Sequence, residues 1–367
     1  MGQRAEVHVD LGAIASNIKK IRGNTEAEVL AVVKANAYGH GLIPVANCAL
    51  ESGATWLGVA LLEEAFALRE AGISAPLIAW LTPLGEDFSR AIELNIDLSL
   101  ASIDHARAIE SAGKSLGKKP RVHIEFDSGM GRGGFTEEDF TEFLEVANTF
   151  ELDYIGFWTH FARADEPERP ETDSQITHFD AALAQLKSAG INPQLVHLAN
   201  SAAAQTRIGA HRNIVRLGIS MYGLSPDVTS MGSGESLGLI PAMSVVATLA
   251  LVKKVKAGTP VGYGGVGVTS VDTTLGIVAM GYSDGIPRNT SSAVGVTFHG
   301  VKAPIIGRVS MDQFVVDLGP GSEAKNGDQV LLFGAGGYSI DEWAEASKTI
   351  NYEIVTRIAS RVPRIYG

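Results

Sequence analysis

Cysteine is almost absent from these 367 residues: Cys48 stands alone. A single thiol excludes an intramolecular disulfide and any metal site built from several cysteines. It suits a reducing compartment, so a cytoplasmic location is expected. Long apolar runs are missing too. No segment approaches the roughly 18 continuous apolar residues of a membrane span. The start, Met-Gly-Gln-Arg-Ala-Glu-Val, has no apolar signal core. Basic residues are outnumbered, 30 Lys and Arg against 41 Asp and Glu, for a net charge of −11. That balance argues against nucleic acid or an anionic membrane as the main partner. The dinucleotide fingerprint G-x-G-x-x-G never opens a helix after a first strand, which weighs against an open doubly wound sheet. What is present is 45% hydrophobic and 19% charged, ordinary for a globular protein and long enough for two domains.

The chain is organised around VLAVVKANAYGHG at 29–41. Residues 29–33 are apolar without alternation, which reads as a strand buried on both faces. Lys34 ends it, and a helical pattern starts near Gly41. A helix precedes this strand, with Asp10 as N-cap and Leu11, Ile14, Ile18 and Ile21 at helical spacing. Further strands are expected at 56–60, 77–81, 96–100, 121–126, 154–158, 194–198 and 213–217, with helices at 61–71, 102–115, 136–149 and 172–189 between them. This alternation predicts an α/β fold whose N-terminal part is an eight-stranded (β/α)8 TIM-type barrel. The texture then changes. Ser and Gly crowd 225–238, and closely spaced β-branched runs follow at 243–252, 274–280, 294–298, 303–309, 314–318 and 329–333, with helical patterns only at 341–347 and 352–360. We read a barrel domain over 1–235 and a mainly antiparallel β domain over 236–367.

Polar groups gather at the ends of the barrel strands, where such folds keep their chemistry. Lys34 sits there, and burial would lower its pKa toward a neutral amine able to form a Schiff base. Glu125, Arg132, His160, Ser201 and Arg216 belong to the same rim. Taken singly, each is as well explained by a rim salt bridge or a half-buried histidine; their convergence on one rim favours function. Gly218 would let the backbone approach a phosphate, and Ser201 offers a hydroxyl. A lysine on the first barrel strand with a phosphate cup near the last two suits pyridoxal 5'-phosphate (PLP). A sugar-phosphate aldolase would use the same two parts but has no need of a second β domain. In that domain Tyr263 lies between two glycines. It is a better acid–base candidate than Tyr282, for which turn packing is sufficient explanation.

With these residues in place, the chain resembles the bacterial alanine racemases over nearly its whole length. The motifs are AVVKANAYGHG at 31–41, DSGMGRGG at 127–134, THFARAD at 159–165, HLANSAA at 197–203, VRLGISMYGL at 215–224, GYSDG at 281–285, GRVSMDQ at 307–313 and NYEIVTRIASRVPRIY at 351–366. The resemblance implies a PLP-dependent enzyme interconverting L- and D-alanine, supplying D-alanine for peptidoglycan, and working as a homodimer with shared active sites. It implies that Lys34 holds PLP and is the base on the D side, while Tyr263 of the partner subunit is the base on the L side. Tyr38, Ser201, Gly218, Ile219 and Tyr352 would hold the phosphate, Arg216 would face the pyridine nitrogen, and His160 would lie against the ring. Arg132 would meet the ring oxygen and the substrate carboxylate, which Met311 also helps to place. Asp312 and Tyr282 would support the site, and Asp165, Tyr282, Arg288, Arg308 and Ile350 would line the access corridor.

One position departs from the family pattern. Where members often carry a carbamylated lysine steadying the arginine aligned with Arg132, this chain has Glu125. It supplies a carboxylate directly, on a shorter side chain. A racemase of serine or of broader specificity is the alternative reading on the same fold. A basic amino-acid decarboxylase is disfavoured by Arg216 and by the lack of a C-terminal cysteine. A non-enzymatic PLP-binding protein is disfavoured by the β domain that carries Tyr263 and Met311.

Overall fold

The computed structural model describes residues 4–367. They divide into two compact units: Ile14–Ala37 with Leu42–Ile240, and the stretch to Ala13 with Tyr38–Gly41 and Pro241–Gly367. The texture-based division at 235/236 and the contact-based one at 240/241 therefore differ in position. They also differ over the N-terminus, because the first strand, β1 (Ala5–Val9), groups with the C-terminal segment.

The first unit is the barrel. Its strands are β2 (Glu28–Val32), β3 (Trp56–Val59), β4 (Leu77–Ala79), β5 (Asp97–Leu100), β6 (Arg121–Glu125), β7 (Asp153–Trp158), β8 (Leu195–His197) and β9 (Ile214–Leu217). All neighbours pair in parallel, in the order β8-β7-β6-β5-β4-β3-β2-β9. The ring closes between β8 and β9 through Asn213 N to Val196 O (3.3 Å) and Arg216 N to Ala199 O (2.9 Å) rather than through a ladder. Helices follow the strands as expected. Ile103–Leu116 is capped by Ser102 and ends on left-handed Gly117, and Glu137–Val146 is capped by Thr136. Phe126, Phe135, Phe140, Phe143, Phe157 and Phe179 form an aromatic core on one side, with Phe157 and Phe179 stacked at 4.6 Å.

The second unit is built on β10 (Met243–Val255), a strand of 13 residues that pairs with three others along its length. After the short β11 (Pro260–Val261) and β12 (Gly267–Val268) come β13 (Thr273–Val278), β14 (Gly295–Phe298), β15 (Val301–Pro304), β16 (Phe314–Gly319), β17 (Gln329–Phe333) and β18 (Arg364–Tyr366). Every pairing is antiparallel except β1 with β18. β1 has the alternation of a half-buried strand, with Ala5, Val7 and Val9 inward, and lies antiparallel to β10 from Ala5↔Ala247 to Val9↔Met243. The strand expected at 303–309 starts earlier, at Val301, and stops at Pro304. Pro304 has no N–H to donate, and Gly307 then turns the chain at φ 80°.

This unit carries one deeply buried carboxylate. Asp284 is fully buried and accepts two hydrogen bonds from Arg4 (2.9 and 2.7 Å), one from Arg361 Nε (2.6 Å) and one from Gly281 N (2.9 Å). Burial opposes its charge, but these donors hold its carboxyl below the usual carboxylate range. Asp284→Ala should destabilise the protein by about 3 kcal/mol, toward the low end for broken buried pairs because both arginines can turn to solvent. Urea unfolding at neutral pH checks this; a loss under about 1 kcal/mol would show that the cluster is not structural.

Candidate active site

β2 ends at Val32, and Lys34 opens a turn of unusual backbone. Ala35, Asn36, Ala37 and Tyr38 all have φ between 52° and 54°, the left-handed region that L-residues occupy at a cost of about 1–2 kcal/mol each. Such a run persists only where its surroundings hold it. Glu64 does so from the next βα unit, with Oε1 accepting from Ala35 N (2.5 Å) and Oε2 from Ala60 N (3.0 Å) and Leu61 N (3.1 Å). Asn36 Oδ1 takes Leu42 N at 2.8 Å, and Tyr222 donates its hydroxyl to Val32 O at 2.9 Å. The turn leaves Lys34 half-buried at the carboxyl end of the strand. Burial lowers its pKa; Arg132 and Arg216 lower it further, against the pull of Glu64.

Arg132 stands on a loop folded around one carboxylate. Asp127 Oδ1 accepts from the amides of Gly129, Met130 and Gly131 at 2.8–3.1 Å. The loop closes through Asp127 N to Phe135 O (2.9 Å) and Phe135 N to Glu125 O (2.8 Å). Gly134 has φ 96°, and a Cβ there would stand 2.8 Å from Asp127 N, so only glycine fits. Arg132 itself is exposed and makes no ion pair among the described residues. Glu125 does not bond it directly. Burial pushes the Glu125 carboxyl up to about 7, opposed by the charges of Arg132 and Arg216 and by the Ser99 hydroxyl.

Arg216 is buried at 3% exposure and surrounded by acceptors. NH1 donates to His197 O (2.9 Å) and NH2 to Thr159 O (2.9 Å) and Leu198 O (3.2 Å), with His197 Nδ1 and His160 Nδ1 each at 3.3 Å. Its Nε keeps the one N–H with no protein acceptor among the described residues. Burial, with the charges of Arg216, Arg132 and Lys34, drives His160 well below its ordinary pKa, so it is neutral. Gln175, only 4% exposed, clamps this loop through His160 O (3.1 Å) and Ala162 N (2.9 Å).

Ser201 opens the helix Ser201–Thr206 and accepts Gly218 N at 2.9 Å and Ser220 N at 3.4 Å. The N–H of buried Ile219 and the first-turn amides of Ser201 and Ala202 find no protein acceptor among the described residues. Buried donors left over in this way call for an anion. Lys34, Glu125, Arg132, His160, Ser201, Arg216, Gly218 and Ile219 therefore all lie in the barrel unit, and Asp165 is half-buried there.

The remaining candidates lie in the other unit. Tyr38 and Tyr352 face each other there, ring centroids 6.2 Å apart. Tyr263 is 68% exposed on a short turn between left-handed Gly262 and Gly264, and Met311 is 54% exposed. Asp312 is exposed and bonds Arg361 NH2 at 2.7 Å and the Ser283 hydroxyl at 2.9 Å, which ties the Met311 loop to the Asp284 cluster. Tyr282 and Ile350 are exposed, and Arg288 and Arg308 line one cleft with Thr290 and Gly307. Sequence reading missed Glu64, Gln175, Asp97 and His123. The first two carry no motif, and Asp97 and His123 sit on strands that already hold other polar residues, Ser99 on β5 and Arg121 and Glu125 on β6, so nothing local singles them out. No group of His, Cys, Asp and Glu suited to a metal ion occurs among the described residues.

Comparison with known proteins agrees with this fold. The alanine racemase N-terminal domain model matches residues 9–226, and the alanine racemase C-terminal domain model matches residues 242–366. An alanine racemase of Salinispora arenicola is 45% identical over 371 residues, covering 99% of this chain and 98% of the relative. Among solved structures, an alanine racemase from a D-cycloserine-producing Streptomyces lavendulae superposes with a TM-score of 0.97 at 40% identity, covering 100% of this chain and 98% of that one. One from Bacillus anthracis with bound L-Ala-P does so at 0.92 and 39% identity, covering 100% and 96%. Both halves of the fold, the barrel that carries Lys34 and the β unit that carries Tyr263, are thus matched end to end, and the chain belongs to the alanine racemase family.

Proposed function

We propose that this chain is a PLP-dependent racemase that interconverts L- and D-alanine with two bases, Lys34 and the Tyr263 of a second copy. The observation that carries the reading is the setting of Lys34: a half-buried amine of lowered pKa at a barrel strand end, sharing its field with Arg132 and Arg216. The residues present fit the cofactor. Lys34 Nζ would bind its carbonyl carbon, the spare Arg216 Nε–H would meet the ring nitrogen, and neutral His160 would lie against the ring. The unpaired amides of Ser201 and Ile219, with the Ser201 hydroxyl, would take the phosphate. Once bound, PLP would withdraw electrons from alanine Cα and make its proton acidic.

The rest of the work falls to the chain. Arg132, exposed and without an ion pair, is available to bind the substrate carboxylate. Lys34 takes or returns the Cα proton on one face, and Tyr263 of the second copy does so on the other. Arg216 donates and cannot accept, so it disfavours a proton on the ring nitrogen and restrains side reactions that need a stronger electron sink. Exposure of Tyr263, Val266, Val268, Met311 and Ile350 supports a homodimer that covers them. No helix among the described residues is long and apolar enough to cross a membrane. We place the reaction in the cytoplasm, providing D-alanine for peptidoglycan.

The test is purified holoenzyme with L-alanine in deuterated water, followed by NMR at Cα and by chiral chromatography. Conversion to D-alanine with deuterium at Cα is the expected result. An enzyme that holds PLP yet leaves alanine untouched would overturn the substrate, and serine would be the next to try.

A further inference from the structure

Arg216 has a second side, facing the barrel interior. Its NH1 lies 3.3 Å from His197 Nδ1. A guanidinium only donates, so that nitrogen must be an acceptor, and the proton of a neutral His197 sits on Nε2. Nε2 is 3.0 Å from His123 Nδ1, which must then accept as well. The His123 proton is left on Nε2, 3.1 Å from Asp97 Oδ2. Asp97 also accepts from Arg121 at 2.8 and 3.0 Å. With neutral imidazoles, one proton arrangement satisfies every link, and each link dictates the next.

The surroundings hold these rings in register. Asp97, His123 and His197 are at most 2% exposed. Trp158 stacks on His197 at 5.7 Å and 2°, and Trp56 meets His123 edge-on at 5.6 Å. A Cβ at residue 156 would come 2.1 Å from His123 Nδ1, so Gly156 makes room for the ring. Burial, with the Arg216 charge, keeps His197 well below its ordinary pKa. Burial opposes the Asp97 charge, but the bonds from His123 and Arg121 hold its carboxyl below the usual range.

We propose that His197, His123 and Asp97 form a one-way hydrogen-bond relay that orients Arg216 toward the cofactor's ring nitrogen, with Asp97 as a remote positioning residue. The proposal rests on the reading that Arg216 faces that nitrogen. Asp97 can only accept while ionised, and this sets the direction of the relay. An amide in its place can present N–H instead. Both imidazoles would then shift to Nδ1–H, and His197 would turn a donor onto Arg216, which would have to move.

The first test needs no variant. Histidine 15N shifts in the wild-type holoenzyme near neutral pH should report neutral Nε2–H forms for both His123 and His197. Nδ1–H at His197, or a charged imidazole at either, overturns the relay. The second uses Asp97→Asn loaded with PLP labelled with 15N in its ring. The ring-nitrogen resonance should shift, with kcat down by about 10- to 100-fold and KM for alanine within about twofold, as misorientation of a catalytic group predicts. An unchanged resonance overturns the link to the cofactor. The broader reading fails differently: the histidines would show the expected tautomers while the wild-type enzyme left alanine unracemised.

Discussion

Lys34→Ala should reduce alanine racemisation by at least about 10⁴-fold, since under the proposed function it removes both the covalent anchor and one base. Tyr263→Phe should be as inactive in racemisation but not in exchange. With Lys34 intact on its own face, D-alanine should still trade its Cα proton for deuterium and keep its configuration, while L-alanine should not exchange. The setting of each residue supports the division. Lys34 is half-buried, and its lowered pKa leaves more free amine near neutrality. Tyr263 is exposed on a glycine-flanked turn, and under the proposed function it would meet a substrate only in the site of a second copy. Mixing the two inactive variants gives a sharper reading. A heterodimer of Lys34→Ala with Tyr263→Phe would contain one site with both bases, and activity should return to about a quarter of wild type if subunits exchange freely. Loss of all exchange in Tyr263→Phe would show that Lys34 cannot act alone. Full activity in that variant would remove the tyrosine from the mechanism.

Much of this was legible in the sequence because buried parallel strands have a plain signature. All eight barrel strands and most of the long β10 fall on stretches the sequence marks as strands, and Lys34, His160 and Arg216 stand out as charged or polar residues just beyond or within them. The harder features lack a local period. β1 is five residues long and β18 three, too short to weigh against the helix pattern beside each, and they acquire a partner only through β10. The left-handed run at 35–38 contradicts the propensity of Ala and Tyr, and nothing nearby in sequence predicts it. Glu64, which stabilises it, lies a whole βα unit away. The relay beneath Arg216 is of the same kind. Asp97, His123 and His197 come from three strands, and only closure of the barrel brings them together.

Glu125→Gln should stabilise the fold and impair the enzyme at the same time. In the folded chain the carboxyl binds its proton up to about pH 7, against an ordinary glutamate value of about 4.5. Between those values the folded state therefore holds more protons than the unfolded one, and stability falls as pH rises through that window. Above it the penalty is complete, on the order of 3 kcal/mol. Glutamine carries no such penalty, so urea unfolding of the cofactor-free chain should show the variant gaining up to about 3 kcal/mol at pH 8 and almost nothing at pH 4. Catalysis should move the other way. The Glu125 carboxylate acts on Arg132 through its charge, without a hydrogen bond, and because Arg132 is exposed the attraction is about 1 kcal/mol, which corresponds to a roughly fivefold higher KM for alanine when the charge is lost. In wild type, KM should fall as pH rises through about 7 and the carboxyl ionises; in the variant that step should be absent. Because the anion is part of the chain, stripping carbon dioxide from the buffer should leave wild-type activity unchanged. A lower KM in Glu125→Gln would reverse the assignment: the carboxylate would then be repelling the substrate's own carboxylate rather than holding Arg132 ready for it.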